Sequence, residues 1–166
     1  IFDRILLEAT DRIRPLHDEL LASLDALVML DSLYGRARYA IAFECAQAEL
    51  CMPDEGFALR NGRHPLLLAQ GVSVIPFDLE MGSSERTLLV FGPNTGGKTV
   101  LLKSIALISA LVQSGVPAPV AAGSRVAVFD NLFADIGDEQ SIEASLSTFS
   151  AHLKNLGEIL VAATPQ

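Results

Sequence analysis

Phe91-Gly92-Pro93-Asn94-Thr95-Gly96-Gly97-Lys98-Thr99 is the stretch on which the fold turns. From Gly92 onward it fits G-x-x-x-x-G-K-[ST], and phosphate binding needs each of those residue types. Glycines let the backbone curl with its N–H groups turned inward, so that they donate to a β-phosphate with no side chain in the way. A helix opening at Lys98 aims the positive end of its dipole at the same oxygens. Lys98 can reach the β- and γ-phosphates and is the expected catalytic cation, while the Thr99 hydroxyl suits Mg²⁺. Gly92, Pro93, Asn94, Thr95, Gly96, Gly97, Lys98 and Thr99 are thus the expected binding set for ATP, with Thr99 on the metal.

The flanks agree with a P-loop. Thr87-Leu88-Leu89-Val90-Phe91 is a short apolar run bounded by Gly82-Ser83-Ser84-Glu85, the pattern of a strand buried on both faces. Downstream, Leu101, Leu102, Ile105, Ile108, Leu111 and Val112 recur at helical spacing from Lys98 to about Gln113. Gly115-Val116-Pro117 then stops the helix. Val126-Ala127-Val128-Phe129 reads as another strand, and Ser141 to Leu160 as a helix with Ile142, Leu146, Phe149, Leu153, Leu156 and Leu160 on one face. Strand, loop, helix, strand, helix is an α/β order.

Upstream, Met52 to Gly62 reads as loop and short strand, and Val72 to Met81 as an edge strand that bends at Pro76. The first forty residues carry a seven-residue beat: Leu6, Ile13, Leu20, Leu27, Tyr34 and Ile41 share one heptad position. That beat suits a helix packed along a partner helix, or equally an amphipathic helix of the domain itself, with a break near Arg14 because of Pro15. The expected division is a helical segment over 1–50 and a P-loop core over 51–166.

Composition narrows the setting. Half of the 166 residues are hydrophobic and 19% are charged. An interface covered by further protein would explain so apolar a chain. It begins Ile1-Phe2-Asp3 and closes Ala163-Thr164-Pro165-Gln166, which reads as an internal fragment. With 12 basic residues against 20 acidic ones, the net charge is −8, the wrong sign for a general nucleic-acid surface. Any such grip would lie elsewhere in a longer protein. No apolar run is long enough to span a bilayer, and Cys45 and Cys51 stand alone without metal spacing, as in a cytoplasmic protein.

A P-loop ATPase also needs an acid on a second strand to hold Mg²⁺. Asp130 follows four apolar residues as such an acid does, but Asn131-Leu132-Phe133-Ala134-Asp135 continues without the companion Glu.

From the loop onward the sequence resembles the MutS family, ABC-like dimeric ATPases. Gly92-Pro93-Asn94 with Gly96-Gly97-Lys98 has that family's form of the P-loop. Gly62-Arg63-His64-Pro65-Leu66, Gly115-Val116-Pro117-Ala118, Phe133-Ala134-Asp135-Ile136-Gly137 and Ser147-Thr148-Phe149 resemble further elements of it. Thr95, Asp138-Glu139-Gln140-Ser141-Ile142-Glu143 and His152 are similar to the type-two, anti-recombination branch rather than to the mismatch-repair branch.

The resemblance implies an ABC-like ATPase core, incomplete here and preceded by the end of a lever or clamp helix. It implies a cytoplasmic homodimer in which Ser147 reaches the partner's γ-phosphate and Val74 and Ile75 pack on adenine. The Mg²⁺ Asp and the catalytic Glu would lie past Gln166, which removes Asp130 from that role and leaves the fragment alone nearly inactive. Branched DNA is the implied client, bound outside this stretch. Stalled or collided ribosomes are the alternative, and mismatch repair is a weaker one.

Overall fold

The computed structural model describes residues 2–93, 96–136 and 145–163, the side chains of 145–152 excepted. The chain divides into two units, Ile1–Ile41 and Ala42–Gln166.

The first unit is helical. Helix α1 spans Phe2–Ile13, a 3₁₀ turn covers Arg14–Leu16, and helix α2 starts at His17 and runs to Ala42. The break falls where Pro15 removes a backbone donor, as the sequence predicts. No residue of either helix is buried. The heptad side chains Leu20, Leu27 and Tyr34 stand open along α2.

The second unit holds a four-stranded mixed sheet with helices. Strand β1 is Glu49–Cys51, β2 is Phe57–Gly62, β3 is Phe77–Met81 and β4 is Arg125–Ala127, in the spatial order β1-β4-β2-β3. β1 and β4 run parallel, whereas β2 is antiparallel to both β4 and β3. Between them lie α3 (Pro65–Ala69), α4 (Lys98–Gln113) and, last, α5 (Ser145–Ala162). β3 alternates: Phe77, Leu79 and Met81 lie against the core, while Asp78 and Glu80 face outward. The β2–β3 register slips between Leu59 and Gly62, where Asn61 takes a positive φ and its N–H is held by Asp78 Oδ1 at 2.6 Å.

The core forms where α4 lies on the sheet. Ile108 and Val112, one helical turn apart, meet Leu59 of β2, Val126 of β4, and Ala118 and Val120 of the loop between α4 and β4. Burying side chains of this kind stabilises by about 1.5–3 kcal/mol each, and this is what fixes the helix that starts at Lys98. Buried Ser124 is satisfied twice, donating to the Ala121 carbonyl at 2.8 Å and accepting from the Arg60 N–H at 3.0 Å. The stop after α4 follows its sequence. Gly115 takes φ +70, its N–H meets the Val112 carbonyl at 3.0 Å, and the Val116 N–H meets that of Leu111 at 2.9 Å.

Two expectations are corrected. The run Thr87–Phe91 is no buried strand: no strand pairs with it among the described residues, and Leu89 and Phe91 are 69% and 82% exposed. An apolar extended segment becomes a strand only when a neighbour takes up its N–H and C=O groups. The edge strand expected from Val72 begins only at Phe77, after Pro76. The expected helix over 141–160 is found as α5 from Ser145; residues 141–144 lie outside the described residues.

Candidate functional site

The loop Gly92–Thr99 leads directly into α4, and its local geometry follows from its glycines. Gly97 is the helix N-cap at φ +76, ψ +13, a left-handed conformation that costs any side-chain-bearing residue roughly 1–2 kcal/mol. The Gly96 N–H closes a turn on the Pro93 carbonyl at 2.9 Å, and the Leu101 N–H makes the first helical bond, to Gly97, also at 2.9 Å. Among the described residues no side chain caps α4, whose N-cap is a glycine. Its opening amides therefore have no intrahelical acceptor and face outward with the positive end of the helix dipole. Asn94 and Thr95 lie outside the described residues.

Lys98 sits on the first turn and folds back over the loop. Its ammonium donates to the Gly92 carbonyl at 2.5 Å and to that of Pro93 at 2.7 Å. The charge is thus parked at the loop's mouth on two neutral acceptors. A phosphate oxygen is a stronger, charged acceptor for the same donor. Thr99, next along, is exposed. Left-handed glycine, uncapped helix start, lysine turned into the loop and exposed threonine together fit a Mg²⁺-nucleotide. Among the described residues no group of three or more His, Cys, Asp or Glu could hold a metal alone. Asp130 lies past the end of β4 and is exposed.

The other residues of interest are placed separately. Val74 and Ile75 are on the connector between α3 and β3; Val74 is half-buried and Ile75 is 88% exposed. No hydrogen bond joins that connector to Gly92–Thr99 among the described residues. Ser147 is on α5, and its side chain lies outside the described residues. A cavity of about 720 Å³ elsewhere in the second unit has none of Gly92–Thr99 in its wall. It is a mainly apolar hollow beside α4, with Leu102, Ile105, Met81, Leu88 and Phe129 in its wall. Its charged lining residues, Asp54, Glu85 and Arg86, are outnumbered by apolar ones.

Two supporting arrangements were not legible as roles in the sequence. Gln113, the last residue of α4, brackets Phe129: its Nε2 donates to the Phe129 carbonyl at 2.9 Å and its Oε1 accepts the Phe129 N–H at 3.1 Å. The side chain takes the place of a neighbouring strand. Arg63 and His64 form the second arrangement. His64 Nδ1 accepts the Leu67 N–H at 3.3 Å and so caps α3, which lies against α4. Burial, helped by the nearby charge of Lys103, pushes the imidazole below its ordinary value and keeps it neutral. Their clustering in Gly62-Arg63-His64-Pro65 was the available signal, though it named no partner. Neither cysteine is in a disulfide among the described residues, and burial raises the Cys51 thiol, with Glu55 adding to the effect, so it is no ready nucleophile.

Comparison with known proteins bears on the same residues. Residues 88–166 match the family model described as MutS domain V. Over 162 residues, 98% of this chain, the sequence is 64% identical to the endonuclease MutS2 of Gemmatimonas aurantiaca. It is 46% identical to the endonuclease MutS2 of Finegoldia magna over 157 residues, and 45% identical to the putative endonuclease MutS2 of Bacillus subtilis over 159, 95% of this chain in each case. In all three the match covers 20% of the relative, so the chain spans about a fifth of the length of the curated relatives it matches. Among the described residues no helix is long and apolar enough to cross a membrane. With residues 88–166 matched by the MutS domain V model and relatives similar along nearly its whole length, the chain belongs to the MutS family, on the side of the MutS2 proteins.

Proposed function

We propose that this chain supplies the ATP-binding part of a homodimeric MutS-type ATPase that binds branched DNA and restrains homologous recombination in the cytoplasm. The observation that carries the nucleotide assignment is the loop itself: α4 opens uncapped at Lys98, behind a left-handed Gly97, with the lysine turned inward. Gly92 to Gly97 would wrap the phosphates with backbone N–H groups, Lys98 would exchange its two carbonyl acceptors for phosphate oxygens, and Thr99 would ligate Mg²⁺. Bound Mg²⁺ offsets charge on the β- and γ-phosphates. Ile75, held out to solvent, and Val74 beside it would cover the adenine ring. Ser147, from α5, would complete the partner's site across the dimer.

Client and partner rest on the resemblance to the type-two branch. The endonuclease named in the relatives belongs to proteins about five times this length, and no residue of this chain is assigned to it. The test uses the full-length protein: ATP turnover, with affinity for a four-way DNA junction, for linear duplex of equal length, and for ribosomes. Turnover with a junction preference of tenfold or more is expected. Equal affinity for junction and duplex, with tighter binding to ribosomes, overturns the DNA assignment in favour of a ribosome-directed ATPase. Absence of turnover overturns the enzyme.

A further inference from the structure

Helix α5 is lightly held. Of its described side chains, those from Leu153 to Ala162, only Ile159 is half-buried and the others are exposed. Lys154 and Glu158 pair with each other inside the helix at 3.8 Å. Among the described residues, one side-chain hydrogen bond ties α5 to another segment: Asn155 Nδ2 donates to Asp135 Oδ1 at 3.3 Å. A helix with few buried apolar contacts is free to shift unless a directional bond fixes it.

Asp135 belongs to a connector that is itself anchored. The Val128 N–H meets the Cys51 carbonyl at 3.0 Å, and Gln113 brackets both polar groups of the Phe129 backbone. Gln113 ends α4, the helix that opens at Lys98. The bond at Asn155 therefore ties α5 to a connector that sets out from the far end of the helix bearing the nucleotide loop. Ser147 lies eight residues before Asn155, about 12 Å along the same axis. Over that distance a helix is stiff, so a bond at Asn155 limits where Ser147 can stand. The pairing has one polarity, since a carboxylate only accepts and the amide must donate. Both partners are exposed, so the bond adds little to global stability and its effect falls on placement.

We propose that Asn155 and Asp135 are positioning residues that set α5 so that Ser147 reaches the partner's γ-phosphate. This rests on the reading of Ser147 given above.

Steady-state ATP turnover of the full-length protein tests it, with ADP affinity and Tm measured alongside. ADP has no γ-phosphate and is held by the Gly92–Thr99 loop, so its Kd reports that loop apart from Ser147. Asn155→Asp sets two carboxylates against each other and is expected to lower kcat about tenfold, the scale of a small misplacement. The ADP Kd should stay within about twofold and Tm within about 2 °C, as for an exposed pair. Asp135→Asn combined with Asn155→Asp exchanges donor and acceptor, and kcat should return to within about threefold of the unmodified value. An unchanged kcat in Asn155→Asp, or no recovery in the double variant, overturns the proposal. So does a loss of ADP affinity and Tm in step with kcat, the mark of a plain folding defect. Ser147→Ala separates the proposal from the reading beneath it. An unchanged kcat in Ser147→Ala refutes that reading, and the proposal with it. A lowered kcat in Ser147→Ala with an unchanged one in Asn155→Asp refutes the proposal alone.

Discussion

Replacing Lys98 by alanine tests how the loop engages a nucleotide, and the structure sets the size of the effect. The ammonium already makes two charge-assisted bonds, to Gly92 and Pro93, so binding exchanges acceptors and does not simply add bonds. A hydrogen bond to a charged group is worth about 1.5–3 kcal/mol net. With each carbonyl bond near the low end and each phosphate bond near the high end, two exchanges gain about 2–3 kcal/mol. At about 1.4 kcal/mol per tenfold, Lys98→Ala should weaken ATP binding by roughly 30- to 150-fold. Titration calorimetry with a non-hydrolysable ATP analogue on the full-length protein measures it, and a melt without nucleotide should shift by only a few degrees. An unchanged Kd refutes the loop as the phosphate site. A loss beyond about 10⁴-fold, the size of two ungiven bonds at about 3 kcal/mol each, refutes the exchange instead.

Ile108→Ala, at a fully buried position on the inner face of α4, should cost about 2–5 kcal/mol in urea unfolding; a loss under about 1 kcal/mol would show that the core is not closed there. Gly97→Ala meets no atom of the described residues within 4 Å, so its cost is conformational, about 1–2 kcal/mol, and Gly97→Asn should recover part of it; equal stability of all three forms would contradict the left-handed cap. His64 is held neutral when folded, so the unfolded chain binds the extra proton. Its contribution is therefore complete above about pH 6.5, the ordinary histidine value, and is lost as pH falls below it toward the lowered folded-state value. His64→Asn keeps a capping side chain and should flatten that part of the stability–pH curve between pH 7 and 5; an unaltered slope would place the titration elsewhere.

The parts legible in the sequence are those set locally. Gly97-Lys98-Thr99 fixes both the loop and the first turn of α4; Gly115 fixes its end, and Pro15 the break before α2. The family followed from the whole loop together with Gly62-Arg63-His64-Pro65-Leu66, Gly115-Val116-Pro117-Ala118 and Ser147-Thr148-Phe149. Thr87–Phe91 misled because composition reports what a segment would do beside a neighbour, whereas pairing depends on where that neighbour is. β1 is only three residues long and is held by β4 from more than seventy residues away, which no local pattern announces. The roles of Gln113 and Arg63 were hidden for the same reason. A glutamine that bonds a backbone sixteen residues on looks in sequence like any polar surface residue, and Arg63, though part of Gly62-Arg63-His64-Pro65-Leu66, gave no sign of the carbonyls nineteen and twenty residues back that it holds.

Helix α2 carries a practical consequence. Val28, Met29 and Leu30 are consecutive and all well exposed, and successive helical residues point about 100° apart. Greasy surface therefore runs round most of the rod at that level, far wider than a single heptad seam. Polar replacements confined to Leu20, Leu27 and Tyr34 would leave residues 1–41 sticky when produced alone. Keeping that segment dispersed would take changes on at least two further sides, with Val28 and Met29 among the first to alter.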